Sequence, residues 1–124
     1  MKPVAVEGCT FGVKEENIEF LTTKILTPAS RKVSVDSKGA YFGEMKVSVS
    51  GIKYMESYAV ANPIVFTISP TAENVSSHGE NAVLDGDESS TVSGIVGVKT
   101  PQDVKEFSMT IYIESAGQES VKAD

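Results

Sequence analysis

One stretch of this chain occurs twice, and that repetition constrains the fold more than any other feature. "PASRKVSVDSKGAYFGEMKVSVSGI" begins at Pro28 and "PTAENVSSHGENAVLDGDESSTVSGI" begins at Pro70. Val33 aligns with Val75, Ala40 with Ala82 and Phe42 with Leu84. After one inserted residue, Gly43-Glu44 aligns with Gly86-Asp87, and Val49 to Ile52 with Val92 to Ile95. A third fragment, "SVKAD" (Ser120 to Asp124), is similar to "KVSVD" (Lys32 to Asp36), so the unit starts at three places, 42 and then 46 residues apart. Repeats of this period are supersecondary units that cannot bury an apolar face alone and must stack on neighbours. Two full copies make a poor solenoid. The expectation is a compact β structure with approximate internal symmetry, in which each copy supplies one hairpin to a shared core and closure covers the strand edges.

Alternation supports the β reading. "KVSVDS" (Lys32 to Ser37), "EMKVSVSGI" (Glu44 to Ile52), "PIVFTIS" (Pro63 to Ser69), "STVSGIVGV" (Ser90 to Val98) and "FSMTIYIES" (Phe107 to Ser115) alternate apolar with polar or small residues. Period two puts every second side chain on one face of a pleated sheet, and Val, Ile, Thr, Tyr and Phe suit that surface. Helix is scarce. In "VKEENIEFLTTKIL" (Val13 to Leu26), Ile18, Leu21 and Ile25 recur at helical spacing, although its second half also reads as a strand. In "TPQDVKEF" (Thr100 to Phe107), Thr100 is a capping residue and Pro101 suits the first helical position. The fold class expected is therefore all-β, repeated hairpins with pseudo-symmetry and at most one or two short helices. Gly39, Gly43, Gly86 and Asp87 are the candidate structural turn residues.

Composition bounds the function. The 124 residues, 40% hydrophobic and 23% charged, suit a single domain over 1–124, with repeat units at about 28–52 and 70–95 and a partial third at 120–124. Cys9 is the one cysteine, so no internal disulfide forms, and a lone thiol fits a reducing compartment such as bacterial cytoplasm. A formal charge of -6 with no cluster of Lys and Arg argues against nucleic acid as a partner. No stretch reaches 18 apolar residues, and "MKPVAVEGCTFG" lacks the apolar run of a signal peptide.

The string "GENAVLDGD" (Gly79 to Asp87) resembles the Gly-x-Pro-Ala-Ala-x-x-Gly-Asp pattern of PAAR-repeat proteins, with Asn81-Ala82-Val83 in place of Pro-Ala-Ala or Pro-Ala-Arg. "SKGAYFGE" (Ser37 to Glu44) is similar and one residue shorter, and "KPVAVEGCT" and "SVKAD" resemble the edges of such proteins and of PAAR-like phage tail proteins. The resemblance covers about two thirds of the chain. It implies a cone of β-hairpins with pseudo-threefold symmetry. It further implies a structural tip capping the trimeric spike of a type VI secretion system, phage tail or related contractile injection machine and aiding membrane puncture. The partners it implies are the spike, an effector and other tail or baseplate proteins. The location it implies is bacterial cytoplasm before assembly and the injection machine or virion tail afterwards. Short turns suit a part that bears load, and repeated faces suit a threefold partner. Repetition would then exist to match symmetry.

Chemistry is sparse. Typical PAAR tips hold zinc with three His and one Cys, whereas this chain offers His78 and Cys9 alone, too few for four-ligand zinc. No metal and no cofactor are expected: His78 reads as a solvated turn residue in "SSHGEN" and Cys9 as a small buried apolar one. The sole His, in a Ser/Gly-rich turn, is poorly placed for a hydrolase triad, so no enzyme activity and no small-molecule substrate are expected. "LDGDES" (Leu84 to Ser89) lacks the later ligands of a calcium loop and reads as a hairpin tip. "NVS" (Asn74 to Ser76) matters as a sequon only under secretion, and "KEENIE" (Lys14 to Glu19) reads as a solvated face. The alternative to a tip is a phage tail-tube, baseplate or decoration protein that self-assembles through β-edges. A carbohydrate-binding sandwich ranks last, because only 7% of residues are aromatic and none is Trp.

Overall fold

The computed structural model describes residues 1–55, 58–60, 62–96 and 105–124. In chain order the strands are β1 (Lys2–Pro3), β2 (Thr10–Val13), β3 (Ile18–Glu19) and β4 (Thr22–Ile25), then β5 (Ser34–Val35), β6 (Lys38–Gly39) and β7 (Met45–Ser50). There follow β8 (Lys53–Tyr54), β9 (Tyr58–Ala59), β10 (Ile64–Ile68), β11 (Ser76–Ser77), β12 (Glu80–Asn81) and β13 (Val92–Val96). Last come β14 (Lys105–Met109), β15 (Ile111–Ser115) and β16 (Lys122–Ala123). The protein is all-β, and among the described residues there is no helix.

That overturns the helix expected over Val13 to Leu26. Ile18 is buried on β3 opposite Tyr54, Leu21 is 78% exposed, and Ile25 lies on β4 opposite Val47. The three residues share no face, so their helical spacing never became a stripe. Thr22 and Thr23 are β-branched and favour the pleat, and β7 supplies a partner edge for this run of chain. The helix expected over Thr100 to Phe107 lies outside the described residues up to Val104, and Lys105 to Phe107 open β14. Two expected strands are also shorter than the alternation suggested. "KVSVDS" yields only Ser34 and Val35 before turning, and "FSMTIYIES" is divided at Thr110 between β14 and β15.

Three hairpins share one register. In β5–β6, Ser34 faces Gly39 and Val35 faces Lys38; in β11–β12, Ser76 faces Asn81 and Ser77 faces Glu80. Both close through two residues at positive φ, Asp36 and Ser37 in one, His78 and Gly79 in the other. That is type I′ geometry, whose twist matches the strands it joins. β1 and β16 pair in the same way, Pro3 facing Lys122 and Lys2 facing Ala123. Asp124 and Met1 stand where the other hairpins have their two turn residues, and the Met1 ammonium lies 3.3 Å from Asp124 Oδ1. A chain with Asp124 joined directly to Met1 and new ends opened between His78 and Gly79 is therefore expected to fold. Its urea titration should keep the parent slope and a midpoint close to the parent value.

After each hairpin, three residues cross to a neighbouring unit: Val4–Val6, Ala40–Phe42 and Ala82–Leu84. Ala5 N donates to Val83 O (2.8 Å), Val83 N to Tyr41 O (3.0 Å) and Tyr41 N to Ala5 O (3.1 Å). The flanking bridges join Val4 to Leu84, Phe42 to Ala82 and Val6 to Ala40. Further out, Asp85 N donates to Pro3 O, Gly43 N to Asn81 O and Glu7 N to Gly39 O. Each set returns to its start after three steps, which is the connectivity of a pseudo-threefold axis. Alternation then sorts the side chains. The outer residues of each triplet (Val4, Val6, Ala40, Ala82 and Leu84, with Phe42 part-buried) join Val35, Ala72 and Ala123 in a small apolar cluster. The middle residues Ala5, Tyr41 and Val83 enter the larger one, with Met45, Phe66, Ile68, Met109 and Ile111.

The larger cluster sits inside a belt of strands. β7 lies between β4 and β10, with Ile25 facing Val47 and Met45 facing Ile68. In the second unit Ser89 bridges Ile68 of β10 while Glu88 bridges Tyr112 of β15, the same placement of outgoing chain between two incoming strands. β2 pairs with β15 through a bulge near Ile113, and among the described residues no ladder joins β2 to β4. The two copies diverge beyond the belt. Gly51 ends β7 at φ 71°, whereas the aligned Gly94 lies within β13 opposite Phe107.

Candidate functional site

The candidate site is the hairpin end, where the three units meet. Its candidate turn residues are placed as follows. Gly39 lies in β6, beyond the turn made by Asp36 and Ser37. A Cβ there would come within 2.6 Å of Ser30 O and 2.9 Å of Ala29 Cβ, so close approach of backbone, not turning, excludes a larger residue. Its N–H donates to Glu7 Oε1 at 2.7 Å, which ties the first hairpin to the N-terminal segment. Gly43 and Gly86 both have positive φ, 76° and 85°, but they are not equivalent. Gly43 N donates to Asn81 O as Asp85 N donates to Pro3 O, so Gly43 stands where the second unit has Asp85, and the expected alignment of Gly43 with Gly86 is off by one residue.

Gly86 is the third residue of the turn Leu84–Asp85–Gly86–Asp87, closed by Asp87 N donating to Leu84 O at 3.1 Å. A turn with positive φ only at this position is type II and favours glycine. Val6–Glu7–Gly8–Cys9 repeats it, with Cys9 N donating to Val6 O at 3.0 Å. A Cβ on Gly86 would meet only Lys2 Nζ, at 3.7 Å, so space is available and the backbone alone resists substitution. Gly86→Val is expected to cost about 1 to 2 kcal/mol through left-handed strain, measured by thermal melting.

Asp87 follows that turn and is 3% exposed. Its Oδ2 accepts from Leu84 N (2.8 Å) and Thr71 N (3.1 Å), and its Oδ1 accepts from the Thr71 hydroxyl. A carboxylate from the outgoing chain thus holds the loop entering the same hairpin. Reading the sequence placed Asp87 in a turn but did not reveal its partner, because Thr71 is 16 residues away and has no patterned signal.

Cys9 occupies the position equivalent to Asp87 and is 8% exposed among Ala5, Phe11 and Val83. Burial pushes its thiol up from 9.0 to about 11, with its own backbone amide pulling weakly the other way. A group whose folded pKa is raised stabilises the fold fully below its unfolded value and loses that contribution as pH rises through the folded one. The denaturation midpoint is therefore expected to fall between pH 9 and 11, more steeply than that of Cys9→Ala. Parallel pH profiles for the two proteins would contradict this.

His78 is exposed at φ 51° in the turn of the second hairpin, its Nδ1 3.2 Å from Ser77 Oγ. His78 and Cys9 thus lie on different parts of the fold. Among the described residues no three His, Cys, Asp or Glu side chains converge as metal ligands would, so these residues do not fit the zinc site of the resembled family. A cleft of about 560 Å³ outside the hairpins is lined by Glu15, Glu16, Glu106, Tyr54 and Phe107, with the two rings 6.3 Å apart.

The sequence reading missed that the two ends of the chain make the third hairpin together. The signal was present. Two residues separate Val35 from Lys38 and Ser77 from Glu80, and Asp124 with Met1 supply the same two between Ala123 and Lys2. Compared with known proteins, this chain is matched by no family model, no curated sequence and no solved structure.

Proposed function

We propose that this protein is a structural tip that caps the trimeric spike of a contractile injection apparatus and aids membrane puncture. The observation that carries the reading is the closed set of hydrogen bonds among Ala5, Tyr41 and Val83. A single chain built around three equivalent segments presents similar surfaces at three angles. A partner of three identical chains can meet all of them coaxially. Two-residue turns and crossing segments bonded into a closed ring leave little slack to yield under load. A spike trimer is the principal partner, and an effector or other tail and baseplate proteins are the further ones.

Light scattering tests this. The chain alone is expected to be a monomer, and mixing with the trimeric spike protein encoded in the same genome is expected to give one copy per three spike chains. A hexamer or filament formed by the chain alone would favour the tail-tube, baseplate or decoration reading, in which strand edges pair between copies.

A further inference from the structure

Val33, Val75 and Val121 occupy one position in the three units. Each carbonyl accepts from the first amide of its crossing segment: Ala40 N to Val33 O (3.0 Å), Ala82 N to Val75 O (2.9 Å) and Val4 N to Val121 O (3.0 Å). All three are valine although their surroundings have drifted. Lys32, Asn74 and Ser120 precede them, and Ser34, Ser76 and Lys122 follow. Even the buried middle residues differ, as Tyr41, Val83 and Ala5. Yet Val33 is 37% exposed and Val121 43%, while Val75 is half-buried against the smaller apolar cluster. Packing alone would hold buried positions alike and let exposed ones vary, which is the reverse of this pattern.

We propose that the face carrying these three valines is the surface that seats on a partner of three identical chains, each meeting one valine. The inference rests on the tip reading above and names the end that docks. Net charge does not oppose a contact there. On the hairpin arms Lys2, Arg31, Lys32, Lys38 and Lys122 are balanced by Asp36, Glu73, Glu80, Glu119 and Asp124, so the net -6 is carried elsewhere. The threefold equivalence of the three valine positions selects the trimer as occupant. One valine contact buries far less than the roughly 1,200 Å² of a stable specific interface. A trimer engages three at once, and its second and third contacts are intramolecular.

The test measures affinity for the trimeric spike protein encoded in the same genome, using Val33→Ser, Val75→Ser and Val121→Ser singly and together. A triple Val→Thr variant keeps the branched shape and guards against misfolding. Leu21→Ser with Val65→Ser, exposed apolar residues outside the hairpins, is the control. Each single serine variant is expected to bind about 5-fold more weakly and the triple about 100-fold, with the threonine triple intermediate and the control unchanged. If the triples keep wild-type melting and wild-type affinity, the docking face is overturned while the tip reading stands. Loss of binding in the control alone also overturns it. A wild-type self-dimer that the serine triple dissolves assigns the face to a second copy and overturns it too. Failure of the wild type to bind the trimer removes both this inference and the reading beneath it.

Discussion

Asp87→Ala is expected to lower the unfolding free energy by about 3 to 4 kcal/mol, because it orphans three donors at once. Leu84 N and Thr71 N would lose partners at 2.8 and 3.1 Å, and the Thr71 hydroxyl would lose its acceptor. Leu84 is 2% exposed, so water cannot readily replace the carboxylate at its amide. Asp87→Asn keeps one oxygen but turns a donor toward a donor, and should cost about half as much. Urea titrations at neutral pH measure both, and an unchanged slope would show that stability alone had moved. A loss below about 1 kcal/mol for the alanine variant would mean that Thr71 and Leu84 find other acceptors.

Phe66→Ala is expected to be at least as damaging, costing about 3 to 5 kcal/mol from lost apolar contact and the cavity left behind. Phe66 is completely buried, lies on β10 opposite Val47, and is the largest fully buried side chain among the described residues. β10 is also the strand against which both β7 and Ser89 lie, so a void there faces two repeat units together. Phe66→Leu fills most of the space and should recover more than half of the loss, giving two graded points on one denaturation experiment. For a domain with a typical 5 to 15 kcal/mol of stability, the alanine variant would hold a measurable unfolded population well below the parent melting temperature.

How far the fold was legible follows from the range of each signal. The alternation of "EMKVSVSGI" and "PIVFTIS" located β7 and β10 to within a residue or two, because burial on one face imposes period two locally. The matches of Val33 with Val75, Ala40 with Ala82 and Phe42 with Leu84 exposed the repeat for the same local reason. Val13 to Leu26 failed because three apolar residues at helical spacing are compatible with β structure when different neighbours take each one. Ile18 went to Tyr54, Ile25 to Val47, and Leu21 to solvent.

The candidate site divides along the same line. Gly43 and Gly86 could be singled out from sequence because a positive φ is a property of the residue's own backbone. Gly39 could be noticed but not explained, since the atoms that crowd it belong to Ala29 and Ser30 on the incoming chain. The alignment of Val33 with Val75 and of "SVKAD" with "KVSVD" already paired Val121 with the other two valines, but the hairpin around Val121 was not legible, because the linear order splits it between residues 2 and 123.

By itself the order of residues determined that this chain is β throughout most of its length, where several strands lie, and that one hairpin recurs, since propensity, alternation and turn chemistry act over a few neighbours. The tertiary structure alone decided that the two ends of the chain pair to complete the third recurrence, that the middle amides of the three close a ring, and that Asp87 is buried on Thr71. Those contacts join segments up to about 120 residues apart, and their energies exist only once the whole chain has brought the partners within hydrogen-bonding distance.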